Sequence, residues 1–77
     1  TAENLRIRAD LMIELRDVIQ RKSLTQAQAA KLFRVSQPRI SDLVRGKIAL
    51  FTIDMLVNML ARAGKKVVIQ TKRAKAA

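Results

Sequence analysis

The stretch Lys31-Leu-Phe-Arg-Val-Ser-Gln-Pro-Arg-Ile-Ser-Asp-Leu-Val-Arg-Gly46 decides how this 77-residue chain folds. It predicts the end of one helix, a short turn, and a second helix that stops at a glycine. Ser36 can accept a hydrogen bond from a backbone N–H of the new helix, and Pro38 suits its first turn. Helices joined by so short a turn must cross steeply, as in a helix-turn-helix, although such pairs also occur in unrelated small domains.

The same kind of helix start appears three times along the chain. An apolar residue precedes a hydroxyl residue at Leu24-Thr25, Val35-Ser36 and Phe51-Thr52. Each apolar residue can pack on the fourth residue of its helix, and these partners are Ala29, Ile40 and Leu56. Gly46 and Gly64 follow basic last turns, which is typical of left-handed helix ends. The sequence therefore predicts helices over residues 2–21, about 25–33, about 36–45 and about 52–63.

The composition argues against several classes of protein. The chain has no cysteine and no histidine, so it offers no disulfide, no cysteine-based metal site and no histidine acid or base. We find no constellation of catalytic groups and expect neither an enzyme nor a metal or cofactor. No apolar run approaches the roughly 20 residues of a membrane span, and the charged residues 1–6 do not resemble a signal peptide. We therefore expect a cytoplasmic protein.

Positive charge is concentrated in the middle and at the end of the chain. The net charge is +10, with seven basic and one acidic residue over 21–49 and five basic and no acidic residues over 65–77. A field of this sign favours a polyanion such as nucleic acid, or an anionic membrane surface. A solvated basic surface is the alternative. The membrane is disfavoured because the two aromatic residues, Phe33 and Phe51, are expected in the core.

The outer face of the helix predicted over 36–45 carries side chains that suit DNA recognition. With Ile40, Leu43 and Val44 turned inward, this face presents Gln37, Arg39, Ser41 and Arg45. Glutamine can pair with adenine and arginine with guanine in the major groove, while serine and lysine can hold phosphates. The helix starts at Gln26 and Gln37 add N–H groups that can receive phosphate oxygens.

The run from Leu24 to Lys47 resembles the helix-turn-helix of the Cro/C1-type (Xre) repressor family. It is most similar to small antitoxins of the HigA type, through Ser36-Gln-Pro-Arg-Ile-Ser-Asp-Leu43, the following Gly46-Lys47, and a helix ending in Gly64. The likeness covers about residues 11–64. It implies an all-α, lambda-repressor-like DNA-binding domain of four to five helices over residues 1–64, with a recognition helix at about 36–45.

The resemblance also implies a set of DNA-binding residues. Gln26 would touch phosphate and steady Gln37, and Arg39 and Ser41 would face bases or backbone. Arg45 and Lys47 would contact the backbone beyond the groove. With the cap residue included, the expected site is Gln26, Ser36, Gln37, Arg39, Ser41, Arg45 and Lys47.

Arg34 departs from the family pattern, in which glycine is usual in the turn. A residue other than glycine with positive φ is uncommon and costs on the order of 1 kcal/mol. We expect a slightly strained turn and an exposed Arg34 side chain; a phosphate contact is the alternative.

After the last helix, residues 65–71 form a β-branched run with strong strand propensity. Because the sequence offers no second strand, we predict that this strand pairs with its copy in a homodimer through Val67, Val68 and Ile69. Two recognition helices would then lie about 34 Å apart and bind a palindromic operator of double-stranded DNA. A frayed end, or docking of a toxin on the strand or the first helix, is the alternative. Residues 72–77 are expected to be a basic disordered tail.

The resemblance implies a sequence-specific transcriptional regulator, namely a repressor and antitoxin that autoregulates its toxin–antitoxin operon. The alternative is a protein-interaction module that neutralises a toxin partner, with DNA binding secondary.

Overall fold

Four α-helices make up the fold in the computed structural model, which describes residues 1–73. They are α1 (Ala2–Arg21), α2 (Gln26–Phe33), α3 (Gln37–Val44) and α4 (Ile53–Arg62). A 3₁₀ turn, Ile48–Leu50, joins α3 to α4 and was not expected from the sequence. The four helices agree with the predicted bounds to within a residue at each end. No helix in the described part of the chain is both long enough and apolar enough to cross a membrane.

Hydroxyl side chains cap the starts of α2, α3 and α4, as predicted. Thr25, Ser36 and Thr52 accept hydrogen bonds from the backbone N–H groups three residues later, at 3.1, 3.3 and 3.1 Å. At α2 the Thr25 N–H also donates to Gln28 Oε1 at 2.9 Å, which completes a reciprocal capping box. Each helix therefore begins where its cap residue dictates.

The core is entirely apolar and lies where the four helices meet. The predicted partners of the helix starts, Ala29, Ile40 and Leu56, are all fully buried. Met59 on α4 is also fully buried. The helix α1 packs on α4, and α2 packs on both α3 and α4. The buried residues are Leu11, Met12, Leu15, Val18, Ala29, Phe33, Ile40, Leu43, Phe51, Leu56, Met59 and Leu60.

The turn between α2 and α3 has the left-handed backbone expected of it. Arg34 ends α2 at φ 56° and ψ 48°, in a region that suits glycine better. Ser23, at φ 50°, is a second such residue that the sequence did not reveal. Gly46 and Gly64 adopt φ values of 71° and 79°, which confirms their role at helix ends. The chain therefore places two glycines at left-handed positions and tolerates side chains at two others.

The predicted C-terminal strand is absent from the single chain. Residues 65–73 have no regular secondary structure, because the described part of the chain offers no second strand to accept the backbone hydrogen bonds of this segment. Val67 is half-buried against the core, whereas Val68 and Ile69 are 68% and 54% exposed. Lys65 Nζ lies 3.4 Å from Glu14 Oε2 on α1. Of the tail predicted to be disordered, residues 74–77 lie outside the described part.

Candidate nucleic-acid interface

The first turns of α2 and α3 present polar groups to the surface. Gln26 and Gln37 are the first residues of their helices, and both side chains are exposed. The caps satisfy the N–H groups of the third helical residues. At α2 the Gln26 and Ala27 N–H groups still point out of the helix, and at α3, where Pro38 has no N–H, only the Gln37 N–H does so. Such helix starts carry partial positive charge and suit phosphate oxygens.

The helix α3 has one buried face and one open face. Ile40 and Leu43 are fully buried, which turns Gln37 and Arg45 outward, where both are exposed. Ser41 is half-buried beside them. The open face therefore keeps a glutamine and an arginine near its two ends as predicted, whereas Val44, predicted to turn inward, is only half-buried.

Ser36 has a structural task besides any contact with DNA. Its hydroxyl oxygen accepts from the Arg39 N–H at 3.3 Å, and its backbone lies in the extended region that a cap residue adopts. The hydroxyl hydrogen can still be donated to a phosphate. Ser36 can therefore cap α3 and donate to a phosphate in the same conformation.

Arg39 is the site residue whose placement the sequence did not anticipate. Its side chain is half-buried and turns toward the connection between α3 and α4, where Nη1 donates to the Leu50 carbonyl at 2.9 Å. Its Cζ lies 5.4 Å from the centre of the Phe51 ring, within the range of a cation–π interaction. The Leu50 carbonyl takes one of the five guanidinium N–H donors, and a bidentate base contact would require the remaining edge to turn from this connection toward the groove.

Lys47 and Arg45 lie together just beyond α3. Arg45 caps the end of the helix and is exposed. Lys47 Nζ lies 3.7 Å from Asp42 Oδ1, in an exposed ion pair of the kind that contributes little to stability. Both side chains can therefore turn toward a phosphate at small cost.

Comparison with known proteins establishes the family of this chain. Residues 1–72 match a family described as a helix-turn-helix domain. A solved structure described as an XRE family transcriptional regulator superposes with a TM-score of 0.86 and is 34% identical in sequence. The match covers 99% of this chain and 89% of the other. The chain belongs to the XRE helix-turn-helix family.

The family assignment confirms the resemblance predicted from residues 24–47. As an XRE-family protein, the chain is a DNA-binding transcriptional regulator and not an enzyme. No curated protein matches it. The narrower likeness to HigA-type antitoxins stays a prediction.

Two further arginines of the XRE-family protein donate to backbone carbonyls next to α2 and α3, and the sequence did not reveal either contact. Arg62 on α4 donates through Nη1 to the Phe33 carbonyl at 2.9 Å, at the end of α2. Arg8 on α1 donates to the Ile48 and Phe51 carbonyls at 3.2 and 3.3 Å. Because the partners are 29 to 43 residues away along the chain, local sequence patterns carry no signal for them.

Proposed function

We propose that this XRE-family protein is a transcriptional repressor that binds a palindromic double-stranded DNA operator as a homodimer, with α3 in the major groove. The observation that carries the proposal is the open face of α3, where Gln37 and Arg45 are exposed above a fully buried opposite face. A helix fixed in this way presents the same side chains to every DNA sequence it meets, which is what base recognition requires.

The exposed groups suit different parts of the duplex. Gln37 stands at the tip of α3, where a glutamine can pair with the N6 and N7 atoms of adenine. Gln26, the start of α2, Arg45 and Lys47 suit phosphates on either side of the groove. Sequence preference is therefore assigned mainly to Gln37, and general affinity to the basic residues and helix starts.

Binding measured with two matched variants tests this division. Gln37→Ala should lower affinity for the cognate duplex by roughly tenfold, in the range of 1–3 kcal/mol per bidentate contact, and leave scrambled DNA nearly unaffected. Arg45→Gln should weaken binding to both duplexes alike and reduce the salt slope by about one unit. Equal losses on both duplexes for Gln37→Ala would contradict the assignment.

The C-terminal segment supports the homodimer. Val68 and Ile69 expose apolar surface next to a groove of about 280 Å³, which is lined by Leu11, Glu14, Leu60, Lys65, Lys66 and Val67. Val67 already packs against the core beside this groove. A second copy of the segment would cover the apolar surface and supply partners for its backbone N–H and C=O groups.

Charge disfavours some antiparallel arrangements of the two segments. In an antiparallel pair centred on Val68, Lys65 stands opposite Thr71 of the second copy, Lys66 opposite Gln70, and Val67 opposite Ile69. No lysine then faces a lysine, and Ile69 of the second copy lies next to Val67, at the groove. Like charges directly opposite each other would destabilise the pair, so the registers in which Lys72 faces Lys65 or Lys66 of the second copy are disfavoured.

Sedimentation equilibrium of two variants tests the dimer and its register together. Ile69→Asp should shift the chain toward monomer, because it places a carboxylate at the apolar groove. Gln70→Glu adds a charge of the same sign only one residue away, but it should strengthen the dimer because it faces Lys66 of the second copy. Unchanged mass in both variants would refute pairing through this segment.

The most specific part of the proposed function is the antitoxin role. It is supported by the resemblance of residues 36–47 to HigA-type antitoxins, and by exposed apolar side chains on α1, Ile13 at 61% and Leu5 at 46%, which a toxin could cover. In the alternative function, neutralising that toxin is the main task and DNA binding is secondary.

Two experiments separate these functions. A mobility shift on the DNA upstream of its own gene should be positive for an autoregulator. Co-expression with the product of the adjacent gene should relieve growth arrest if that product is a toxin. A toxin neutralised with no shift of the upstream DNA favours the interaction module, and growth unaffected by the neighbour refutes the antitoxin role.

A further inference from the structure

We propose that Arg39 is a positioning residue and not a base reader: its guanidinium ties the first turn of α3 to the connection before α4 and sets the angle at which Gln37 meets the DNA. The inference rests on the proposed DNA-binding function and replaces the role in base contact that the sequence suggests for Arg39.

The backbone N–H and the side chain of Arg39 both make contacts within the chain. Its backbone N–H donates to the Ser36 hydroxyl at 3.3 Å and to the Ser36 carbonyl at 3.1 Å. Its side chain donates to the Leu50 carbonyl at 2.9 Å and lies over the Phe51 ring. The residue thus bridges the cap of α3 and the segment that leads into α4.

The position of Arg39 in the helix argues that this bridge is the reason for the arginine. Arg39 is the third residue of α3, where the positive end of the helix dipole disfavours a cation. The Leu50 carbonyl and the face of the buried Phe51 ring both attract the guanidinium and offset this repulsion. A bidentate base contact would compete with these two interactions for the same guanidinium.

A second arginine holds the same connection from another helix. Arg8 on α1 donates to the Ile48 carbonyl at 3.2 Å and to the Phe51 carbonyl at 3.3 Å. Three of the four carbonyls over residues 48–51 therefore accept from an arginine side chain. Holding this short connection from α1 and α3 together fixes the angle between the recognition helix and the core.

A positioning residue and a base reader leave different signatures in a double-mutant cycle. If Arg39 acts through Gln37, then Arg39→Gln should lower affinity for the cognate duplex by about tenfold, as expected for the loss of one charge-assisted hydrogen bond. In the Gln37→Ala background the same substitution should change sequence preference little further. If Arg39 contacts a base directly, Arg39→Gln should instead remove the preference at a second base pair, both in the wild-type background and in the Gln37→Ala background.

The experiment starts from a pool of random duplexes, from which the full chain selects its preferred sequence. Binding to the selected duplex and to each single base-pair change is then measured by fluorescence anisotropy for the wild-type chain, both single variants and the double variant. Circular dichroism confirms that each variant is folded. If Arg39→Gln does not fold, Arg39→Met carries the same test, because it keeps a long side chain beside Phe51 and removes the donor to Leu50.

Two matched variants complete the design. Arg8→Gln removes the hydrogen bonds from α1 to the same connection, so it should lower affinity for the cognate duplex as Arg39→Gln does. It should not remove the preference at any additional base pair. Arg45→Gln removes an exposed arginine from the same helix and should weaken all sequences alike.

The possible results separate the inference from the function on which it rests. Selection of no sequence by the wild-type chain refutes the proposed function. Suppose instead that the wild-type chain selects a sequence and that Arg39→Gln loses preference at a base pair other than the one read by Gln37. If this loss occurs both with and without Gln37, it overturns the positioning role. Loss of preference only at the base pair that Gln37 reads supports it.

Discussion

The left-handed turn at Arg34 allows a prediction whose sign and size follow from the backbone. Arg34 holds φ 56° and ψ 48°, which costs a residue with a Cβ about 1–2 kcal/mol relative to the right-handed region. Glycine removes this cost but loses about 0.5–1 kcal/mol of backbone entropy on folding. The difference spans about 0–1.5 kcal/mol, so Arg34→Gly should stabilise the fold by a value near the middle of this range, about 0.5–1 kcal/mol.

No contact made by the Arg34 backbone is lost in this substitution. The Phe33 and Arg34 carbonyls still accept from Arg62, at 2.9 and 3.5 Å, because both are backbone groups. The Arg34 side chain is exposed, so removing it leaves no cavity. At about 4–8 °C per kcal/mol for a domain of this size, the midpoint of thermal unfolding should rise by about 2–8 °C.

Thermal and urea unfolding followed by circular dichroism measure the effect, and the chain supplies its own controls. Ser23→Gly should stabilise similarly, because Ser23 has φ 50°. Gly64→Ala should destabilise by about 1 kcal/mol, because φ is 79° and a Cβ would meet nothing within 4 Å, which leaves only the backbone cost.

A lower midpoint for Arg34→Gly, with the expected signs at Ser23 and Gly64, would refute the strain argument at this turn. Reduced DNA affinity without a gain in stability would instead assign the Arg34 side chain to a phosphate.

Three further substitutions test other parts of the structure. Arg62→Gln should destabilise the fold by about 1 kcal/mol in urea unfolding, because α2 loses the donor to its terminal carbonyl, with the value reduced for solvent exposure. Thr25→Ala should cost about 1 kcal/mol by breaking the capping box, whereas Thr25→Ser should cost little. Lys47→Ala should leave stability nearly unchanged, lower affinity for all DNA sequences alike, and flatten the salt dependence by about one unit. Unchanged stability in the first two, or a sequence-dependent loss in the third, would contradict these assignments.

The helices and their ends could be predicted because their causes are local. Thr25, Ser36 and Thr52 each decide a helix start within four residues of sequence, and Gly46 and Gly64 decide two ends through their backbone freedom. The buried and exposed faces of α3 follow from the spacing of its apolar residues. The family resemblance of residues 24–47 rests on these same local features.

The placement of the arginines could not be predicted, because their partners are distant in sequence. Arg39 was expected to face DNA from its position on the outer face of α3, but its long side chain reaches back to Leu50 and Phe51. Arg8 and Arg62 find carbonyls that become neighbours only after the helices pack. Helical spacing gives the direction in which a side chain leaves the backbone, and it does not say where a flexible guanidinium ends.

The strand over residues 65–71 shows a different limit of sequence reasoning. Strand propensity describes side chains that fit a sheet, but it does not supply the second strand. In the single chain this segment has no regular structure, and Val67 alone turns toward the core.

The central claim, sequence-specific binding through α3, is tested most directly by one titration. The full chain is titrated against the duplex it selects from a random pool and against a scrambled duplex of the same composition, at several salt concentrations. Specific binding predicts a ratio of at least about 10³ between the two affinities near physiological salt, with both falling as salt rises. Equal affinities for the two duplexes would contradict the account.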